Sequence, residues 1–199
     1  MATGRNCLLV LAHPLSGSLC AHLAEHAGTT LAAAGWSVRT IDLYAEDFDP
    51  RLSTAERDAY YRSTPVDPPY ADALREADML VFVFPAWWFG MPAILKGFID
   101  RVWAPGTAFD HAPDAGPIRP LLSRLRHVGV IATFGTPWWV DRLVMRRPLL
   151  RTLRVGVIGA CAPRARFAYL PFYAAENAGG DRVAAFKNRI AKHFAKLGA

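Results

Sequence analysis

The sequence predicts a doubly wound α/β fold, in which one five-stranded parallel sheet carries helices on both of its faces. Strand-like segments alternate with helical segments along the chain, as they do where parallel strands are joined by crossover helices. The strand-like segments are apolar throughout rather than at every second residue, as expected of strands that are covered on both faces. The length of 199 residues and the 52% content of hydrophobic side chains suit a single domain over residues 1–199.

Five segments are predicted as strands. The first is the unbroken apolar run of residues 7–12, and the second is the shorter segment 38–43. The remaining three are residues 79–84, 128–133 and 167–170. Five strands with right-handed crossovers favour the flavodoxin-like strand order, in which ligands bind at the carboxyl ends of the strands.

Helices are predicted between these strands. The first covers residues 19–34, is rich in alanine and ends at Gly35, a common helix stop. A capping-box pattern from Ser53 to Glu56 predicts the start of another helix. Further helices are predicted over residues 70–77, from Pro92 in a first turn through Val102, and from Asp181 as the cap through Phe194.

Two regions are harder to interpret. Residues 155–158 compete with 167–170 for the fifth strand; we prefer the latter and predict that residues 143–160 are largely helical. The stretch of residues 105–117 is predicted as loop, because proline and glycine recur in it. The prolines at positions 65, 68 and 69 predict a second loop.

Composition excludes several classes of protein. Three cysteines, with no short spacing between them, argue against a disulfide framework and a zinc cluster, and no metal site is predicted. The apolar run at residues 79–95 is interrupted by Pro85, Gly90 and Pro92, so no membrane span is predicted. No signal peptide opens the chain, and a cytoplasmic location is expected.

The formal net charge of +6 favours anionic ligands. Ten arginines and the single acid Asp141 lie between residues 119 and 166. This segment is either a solvated face or a basic rim that attracts a phosphorylated cofactor. No nucleic-acid-binding motif accompanies the arginines, so no nucleic-acid partner is predicted.

The turn after the first strand opens a helix and can hold a phosphate through backbone N–H groups and the helix dipole. Ser16 and Ser18 offer hydroxyl groups there, Gly17 allows close approach, and His13 offers a ring N–H. An ordinary capped turn explains the same residues equally well. The following Cys20 is interpreted as a small packing residue in preference to a redox group.

The turns after the third and fourth strands are aromatic. The run of residues 84–92 contains Trp87, Trp88 and Phe89 in succession, which suits a planar ring system or an interface between subunits. The run of residues 133–139 ends in two tryptophans, which form either a lid or a cover for the sheet edge. No G-x-S-x-G elbow suggests a hydrolase.

Together these segments resemble the NAD(P)H:quinone oxidoreductases of flavodoxin-like fold, including the bacterial relatives called modulator of drug activity B. The turn of residues 12–18 is similar to their flavin-phosphate loop. Residues 42–50 are similar to their segment after the second strand, and residues 84–102 to nearly the whole family signature. The similarity extends from Cys7 to about Arg189.

The resemblance implies a set of flavin-binding residues. Those expected to meet the flavin phosphate and ribityl chain are His13, Ser18, Leu19 and Cys20. Those expected to line the isoalloxazine are Pro85, Ala86, Trp87, Trp88 and Phe89, with Thr133 and Gly135 at its other edge. Arg182 corresponds to a family arginine near the adenylate. Lys96, Asp100 and Arg101 are expected to hold structure together.

The sequence departs from the mammalian members on the substrate side. Their Thr-Thr-Gly-Gly turn reads Thr133-Phe134-Gly135-Thr136 here, and tryptophans stand where their Tyr and His acid–base pair is expected. Solvent or Tyr169 is left as the proton donor. Trp88, Phe89 and Trp138 are expected to take part in catalysis, the first two through their backbone amides and Trp138 as part of the substrate pocket.

The resemblance implies a flavin-dependent NAD(P)H oxidoreductase, expected to be a homodimer, that passes hydride through a tightly bound FMN or FAD to a quinone or another aromatic acceptor. A biosynthetic reductase of a polycyclic aromatic intermediate is a variant of this hypothesis. The first alternative is a regulatory flavoprotein subunit that docks on a membrane transporter. The second is a one-electron carrier, which the positive net charge argues against.

Overall fold

A five-stranded parallel sheet forms the centre of the molecule in a computed structural model that describes residues 5–60, 69–112 and 116–197. Its strands are β1 (Asn6–Leu11), β2 (Ser37–Asp42), β3 (Met79–Pro85), β6 (His127–Thr133) and β7 (Arg166–Phe172), numbered with a separate short pair, β4 (Phe109–Asp110) and β5 (Arg119–Pro120). The sheet order is β2-β1-β3-β6-β7, and every adjacent pair is parallel. The five predicted strands and the flavodoxin-like order are confirmed.

Helices cover both faces of this sheet. They are α1 (Leu19–Ala33), α2 (Thr54–Ala59), α3 (Ala71–Arg75), α4 (Ala93–Val102), α5 (Pro148–Arg151), α6 (Gly159–Cys161) and α7 (Gly180–Ala195). Helices α1 and α7 pack together on one face, where Leu23 and Ile190 are fully buried. Helix α4 covers the other face through residues that include Phe98. The central strands are therefore shielded on both sides, which is why their sequences are apolar throughout.

The predicted helix starts are correct to within one or two residues, but Pro92 is the cap of α4 instead of lying in its first turn. The hydroxyl of Ser18 accepts the Ala21 N–H at 3.2 Å and caps α1. Ser53 and Glu56 form the reciprocal capping box of α2. The final helix is capped by Gly179, and Asp181 lies inside its first turn instead of at the cap. A carboxylate there still stabilises the helix through the macrodipole.

Two regions differ in detail from the predictions. The stretch predicted as loop contains β4, which pairs antiparallel with β5 over two residues, too short a ladder for a pattern to show. The segment of residues 143–160, predicted as largely helical, is helical except at residues 145–147. Its helical turns include wide π turns at Val140–Val144, which begins before the segment, and at Thr152–Ile158. Of the proline-rich loop, Pro65 and Pro68 lie outside the described residues.

Helix α4 is joined to the rest of its face by polar contacts as well as by apolar packing. Arg101 forms an ion pair with Glu56 at 2.7 Å and also donates a hydrogen bond to the Asp49 carbonyl. Lys96 and Asp100 pair one turn apart on the same helix. These contacts agree with the structural role expected of the three signature residues. Among the described residues, no helix is long and apolar enough to cross a bilayer.

Candidate functional site

A cavity of about 500 Å³ opens at the carboxyl edge of the sheet, where β1, β3 and β6 end. Its walls are formed by His13, Leu19, Cys20, Pro85, Ala86, Trp87, Trp88, Thr133, Gly135, Thr136, Ala175 and Glu176. The first nine of these residues are all candidates from the sequence. They come together because the carboxyl ends of parallel strands share one edge of a sheet.

The first turn presents donors for an anion at one side of the cavity. The Leu15 N–H donates to His13 Nδ1 at 3.0 Å, so the proton of the neutral ring is on Nε2. Desolvation by burial lowers the pKa of His13, which favours that neutral form. Ser18 does not line the cavity wall, but as the cap of α1 it stands at the positive end of a 15-residue helix. These groups match the requirements of a phosphate.

The aromatic turn after β3 has an unusual backbone. Gly90 N–H donates to the Trp87 carbonyl at 2.9 Å, and Trp88 and Phe89 between them have φ angles of 52° and 58°. Such left-handed conformations cost on the order of 1–3 kcal/mol each for side-chain-bearing residues. The turn therefore holds a strained conformation that aromatic residues do not favour, and strain of this kind concentrates at binding sites.

The same turn presents both polar and apolar groups. In the parts of the chain that the structure describes, the N–H groups of Trp88 and Phe89 donate to no protein acceptor. Trp87 is 44% exposed on the cavity wall, Trp88 is 99% exposed at its rim, and Phe89 is half-buried against the core. Two free amides beside exposed indole rings can bind the polar edge and the face of a planar ring system.

Cys20 closes the floor of the cavity from α1. Its Sγ lies 3.3 Å from Thr133 Oγ1, at the end of β6, and both side chains are buried. Burial raises the pKa of the Cys20 thiol to about 11, against the smaller opposing effect of the Thr133 hydrogen bond. The thiol is therefore neutral near pH 7, as expected of a packing residue and not of a redox nucleophile.

All three thiols are expected to be unreactive in the folded protein. Burial raises the pKa of Cys7 to about 12 and that of Cys161 to about 11, and neither is exposed. At pH 8 a thiol with a pKa near 11 is ionised in roughly one molecule per thousand. A chromogenic disulfide reagent at pH 8 should therefore titrate no thiol in the native protein and three in denaturant. Fast reaction of one native thiol would contradict this.

Two wall residues, Ala175 and Glu176, lie outside the turns predicted from the sequence, and Thr136 lies in the predicted third turn but is not among the predicted contacts. Thr136 follows β6, and Ala175 and Glu176 lie in a 3-10 turn after β7. Backbone hydrogen bonds hold this turn against the β6 turn: Ala174 N–H donates to the Thr136 carbonyl at 3.0 Å and Ala175 N–H to the Phe134 carbonyl at 2.9 Å. The only signal in the sequence was that residues 175 and 176 follow the end of the predicted fifth strand.

Other candidate residues lie outside the cavity. Trp138 lines a separate cleft with Tyr173. Tyr169 is not on the cavity wall, its hydroxyl is buried, and burial raises its pKa well above the ordinary range, so it does not suit a proton donor. Arg182 donates to the carbonyls of Tyr173 and Ala174 and packs over the ring of Phe172, which ties the β7 loop to α7.

Comparison with known proteins identifies the family to which the chain belongs. The sequence profile of the Flavodoxin_2 family, described as having a flavodoxin-like fold, matches residues 5–196. NAD(P)H dehydrogenase (quinone) 1 of Cavia porcellus is 36% identical over 140 residues, which cover 60% of this chain and 51% of the relative. The chain thus spans about half the length of that relative.

Two further matches extend over nearly the whole chain. Ribosyldihydronicotinamide dehydrogenase (quinone) of Homo sapiens is 32% identical over 216 aligned residues, which cover 94% of this chain and 91% of the relative. The crystal structure of Smu.1420 from Streptococcus mutans UA159 superposes with a TM-score of 0.81 at 29% identity, covering 96% of this chain and 99% of that one. The chain therefore belongs to the Flavodoxin_2 family of flavodoxin-like proteins and, within it, to the NAD(P)H:quinone oxidoreductases that its motifs resemble.

Proposed function

We propose that this protein is a flavin-dependent NAD(P)H oxidoreductase that reduces a quinone or another aromatic acceptor. One observation carries the proposal: a single cavity joins an anion site, at His13 and the start of α1, to the strained aromatic turn with its free amides. The names of the matched relatives, both quinone dehydrogenases, support this proposal.

The residues present fit a flavin nucleotide. A phosphate requires N–H and hydroxyl donors, which the turn of residues 13–18 supplies, and an isoalloxazine requires a flat apolar surface with donors at its edge. The aromatic turn supplies both through Trp87 and through the N–H groups of Trp88 and Phe89. The cavity volume of about 500 Å³ lies within the common range of cofactor pockets.

A flavin held by the turn of residues 13–18 and by the aromatic turn after β3 would supply two-electron hydride chemistry between NAD(P)H and the acceptor. The contribution of the protein is electrostatic and geometric. The N–H groups of Trp88 and Phe89 stabilise negative charge that develops at the ring edge, and they are already oriented because the turn is fixed. Trp87 shields one side of the cavity from water and offers a surface on which an aromatic acceptor stacks.

An anaerobic titration tests the proposal. NADPH and, separately, NADH are added to the purified or reconstituted holoprotein while the visible flavin absorbance is followed. We expect stoichiometric bleaching that reverses when a quinone is added. Extraction and chromatography of the flavin then distinguish FMN from FAD. A bound flavin that neither nucleotide reduces would overturn the function, and failure to bind any flavin would overturn the site.

We also propose that the protein is a homodimer in which a second copy covers the rim of this cavity. The support is Trp88, because a tryptophan exposed over 99% of its surface on a strained turn is unfavourable in an isolated chain. Buried interface tryptophans commonly contribute 2 kcal/mol or more to association, by order of magnitude about thirtyfold in affinity.

Light scattering after size exclusion should give twice the chain mass of 21.9 kDa. Trp88→Asn keeps a residue that tolerates positive φ, so it should shift the protein toward monomer at low micromolar concentration while its far-ultraviolet circular dichroism stays unchanged. A wild-type protein that is monomeric at every concentration would refute the dimer.

A further inference from the structure

A second cleft lies beside the flavin cavity, at the outer edge of β7. It has a volume of about 360 Å³ and is lined by Trp138, Arg142, Pro171, Tyr173 and Arg189. A thin wall separates the two spaces. Thr136 and Ala175 line the cavity, Trp138 and Tyr173 line the cleft, and the hydrogen bond from Ala174 N–H to the Thr136 carbonyl joins the two sides of the wall.

The charged groups of the cleft are mostly cationic. The guanidinium of Arg142 lies 5.6 Å from the centre of the Trp138 ring, and that of Arg189 lies 5.8 Å from the Phe186 ring. Neither arginine forms an ion pair with a carboxylate of residues 5–60, 69–112 or 116–197. Two guanidinium groups that line one cleft, with no carboxylate of the described residues paired to either, favour an anionic ligand.

One carboxylate lies behind this surface. Asp141 is completely buried, and its Oδ2 accepts the hydroxyl of Tyr173 at 2.7 Å. Burial and the Asp141 hydrogen bond raise the pKa of Tyr173 to about 12, against a smaller effect of Arg142. Tyr173 therefore remains a neutral donor that screens the carboxylate from the cleft. The solvent side of the cleft keeps both positive charges.

The lining matches a phosphorylated adenosine. The half-exposed Trp138 ring offers a surface for a purine base, and guanidinium groups bind phosphate through paired N–H donors. A nicotinamide dinucleotide consists of two nucleotides joined by a pyrophosphate. When its nicotinamide reaches the flavin cavity, its adenosine must lie in a neighbouring subsite, and this cleft shares a wall with the cavity.

We propose that the cleft of Trp138, Arg142, Tyr173 and Arg189 binds the 2′-phosphorylated adenosine of NADPH and thereby makes the protein prefer NADPH over NADH. This inference rests on the proposed oxidoreductase function only in placing the nicotinamide of NADPH in the flavin cavity. The 2′-phosphate is the only group by which NADPH differs from NADH, so its two arginine partners determine the preference.

Calorimetric titration of the holoprotein with adenosine 2′,5′-bisphosphate and with adenosine 5′-diphosphate tests the subsite directly. The first should bind about tenfold more tightly or better, since it alone carries the 2′-phosphate. Arg142→Gln and Arg189→Gln should each weaken its binding by about 10- to 100-fold, as expected when a hydrogen bond to a charged group is lost. Arg151→Gln, on the exposed surface of α5 and outside the cleft, is the matched control and should change nothing.

Two results would overturn the proposal. Equal affinity for the two adenosine nucleotides would assign the cleft to an unphosphorylated ribose, such as that of FAD. If Arg151→Gln weakened the binding of adenosine 2′,5′-bisphosphate as much as the cleft variants do, the effect would be due to general surface charge and not to the cleft. Failure of the proposed oxidoreductase function can be told apart from failure of this subsite. In the first case neither NADH nor NADPH would reduce the bound flavin, and the calorimetric titration would still measure nucleotide binding at the cleft.

Discussion

Ser18→Asp is expected to eliminate flavin binding without unfolding the protein. Aspartate is as good a helix N-cap as serine, so the bond from the Ala21 N–H and the start of α1 are retained. The new carboxylate, however, would stand where the cofactor phosphate is proposed to lie. Two like charges about 4 Å apart at an effective dielectric constant of 20 repel by about 4 kcal/mol, a loss of roughly 1000-fold in affinity.

The flavin-to-protein ratio of the purified variant, from the visible and ultraviolet absorbance, measures this effect, and circular dichroism checks the fold. Ser18→Asn keeps the cap without the charge and should retain flavin. Ser53→Asp makes the same substitution at the cap of α2, away from the cavity, and should retain it too. A Ser18→Asp protein with stoichiometric flavin would show that the phosphate lies elsewhere.

Gly97→Ala is expected to cause a large loss of stability. A Cβ atom at this position of α4 would lie 2.2 Å from the Pro50 carbonyl oxygen and 2.5 Å from the Pro50 Cα. Both are backbone atoms, so helix and loop must move apart, and overpacking of this kind typically costs 1–3 kcal/mol. We expect a decrease of about 3 kcal/mol in the free energy of unfolding and a melting temperature lower by roughly 10 °C.

Gly28→Ala is the matched control for this experiment. Gly28 also lies within a helix, α1, but its added Cβ would meet only the Leu9 and Val38 side chains at ordinary contact distances of 3.8 and 3.9 Å. Because alanine is a better helix former than glycine, the free energy of unfolding of this variant should increase by roughly 0.5–1 kcal/mol. Urea denaturation should thus show changes of opposite sign in the free energy of unfolding of the two variants, relative to the wild-type protein. Equal denaturation midpoints for the two variants would show that α4 does not pack closely on Pro50.

Much of this fold could be predicted because its local and global preferences agree. The unbroken apolar runs that became β1, β3 and β6 are continuous because helices cover both of their faces. The capping patterns at Ser18 and Ser53 place helix starts through short-range hydrogen bonds that need no tertiary partner. Most of the candidate site followed from topology, since any residue directly after a parallel strand lies at the carboxyl edge of the sheet.

What the sequence alone determined, then, is the parallel sheet, the order of its strands and the three turns that meet at its edge. Which further side chains reach these turns depends on long-range packing. Glu176 reaches the cavity because backbone hydrogen bonds join its turn to the β6 turn, and Trp138 lines the neighbouring cleft and not the cavity because the chain turns at residue 137. The positive φ of Trp88 contradicts its intrinsic preference. Such features depend on contacts between residues that are distant in sequence, so local sequence patterns do not predict them.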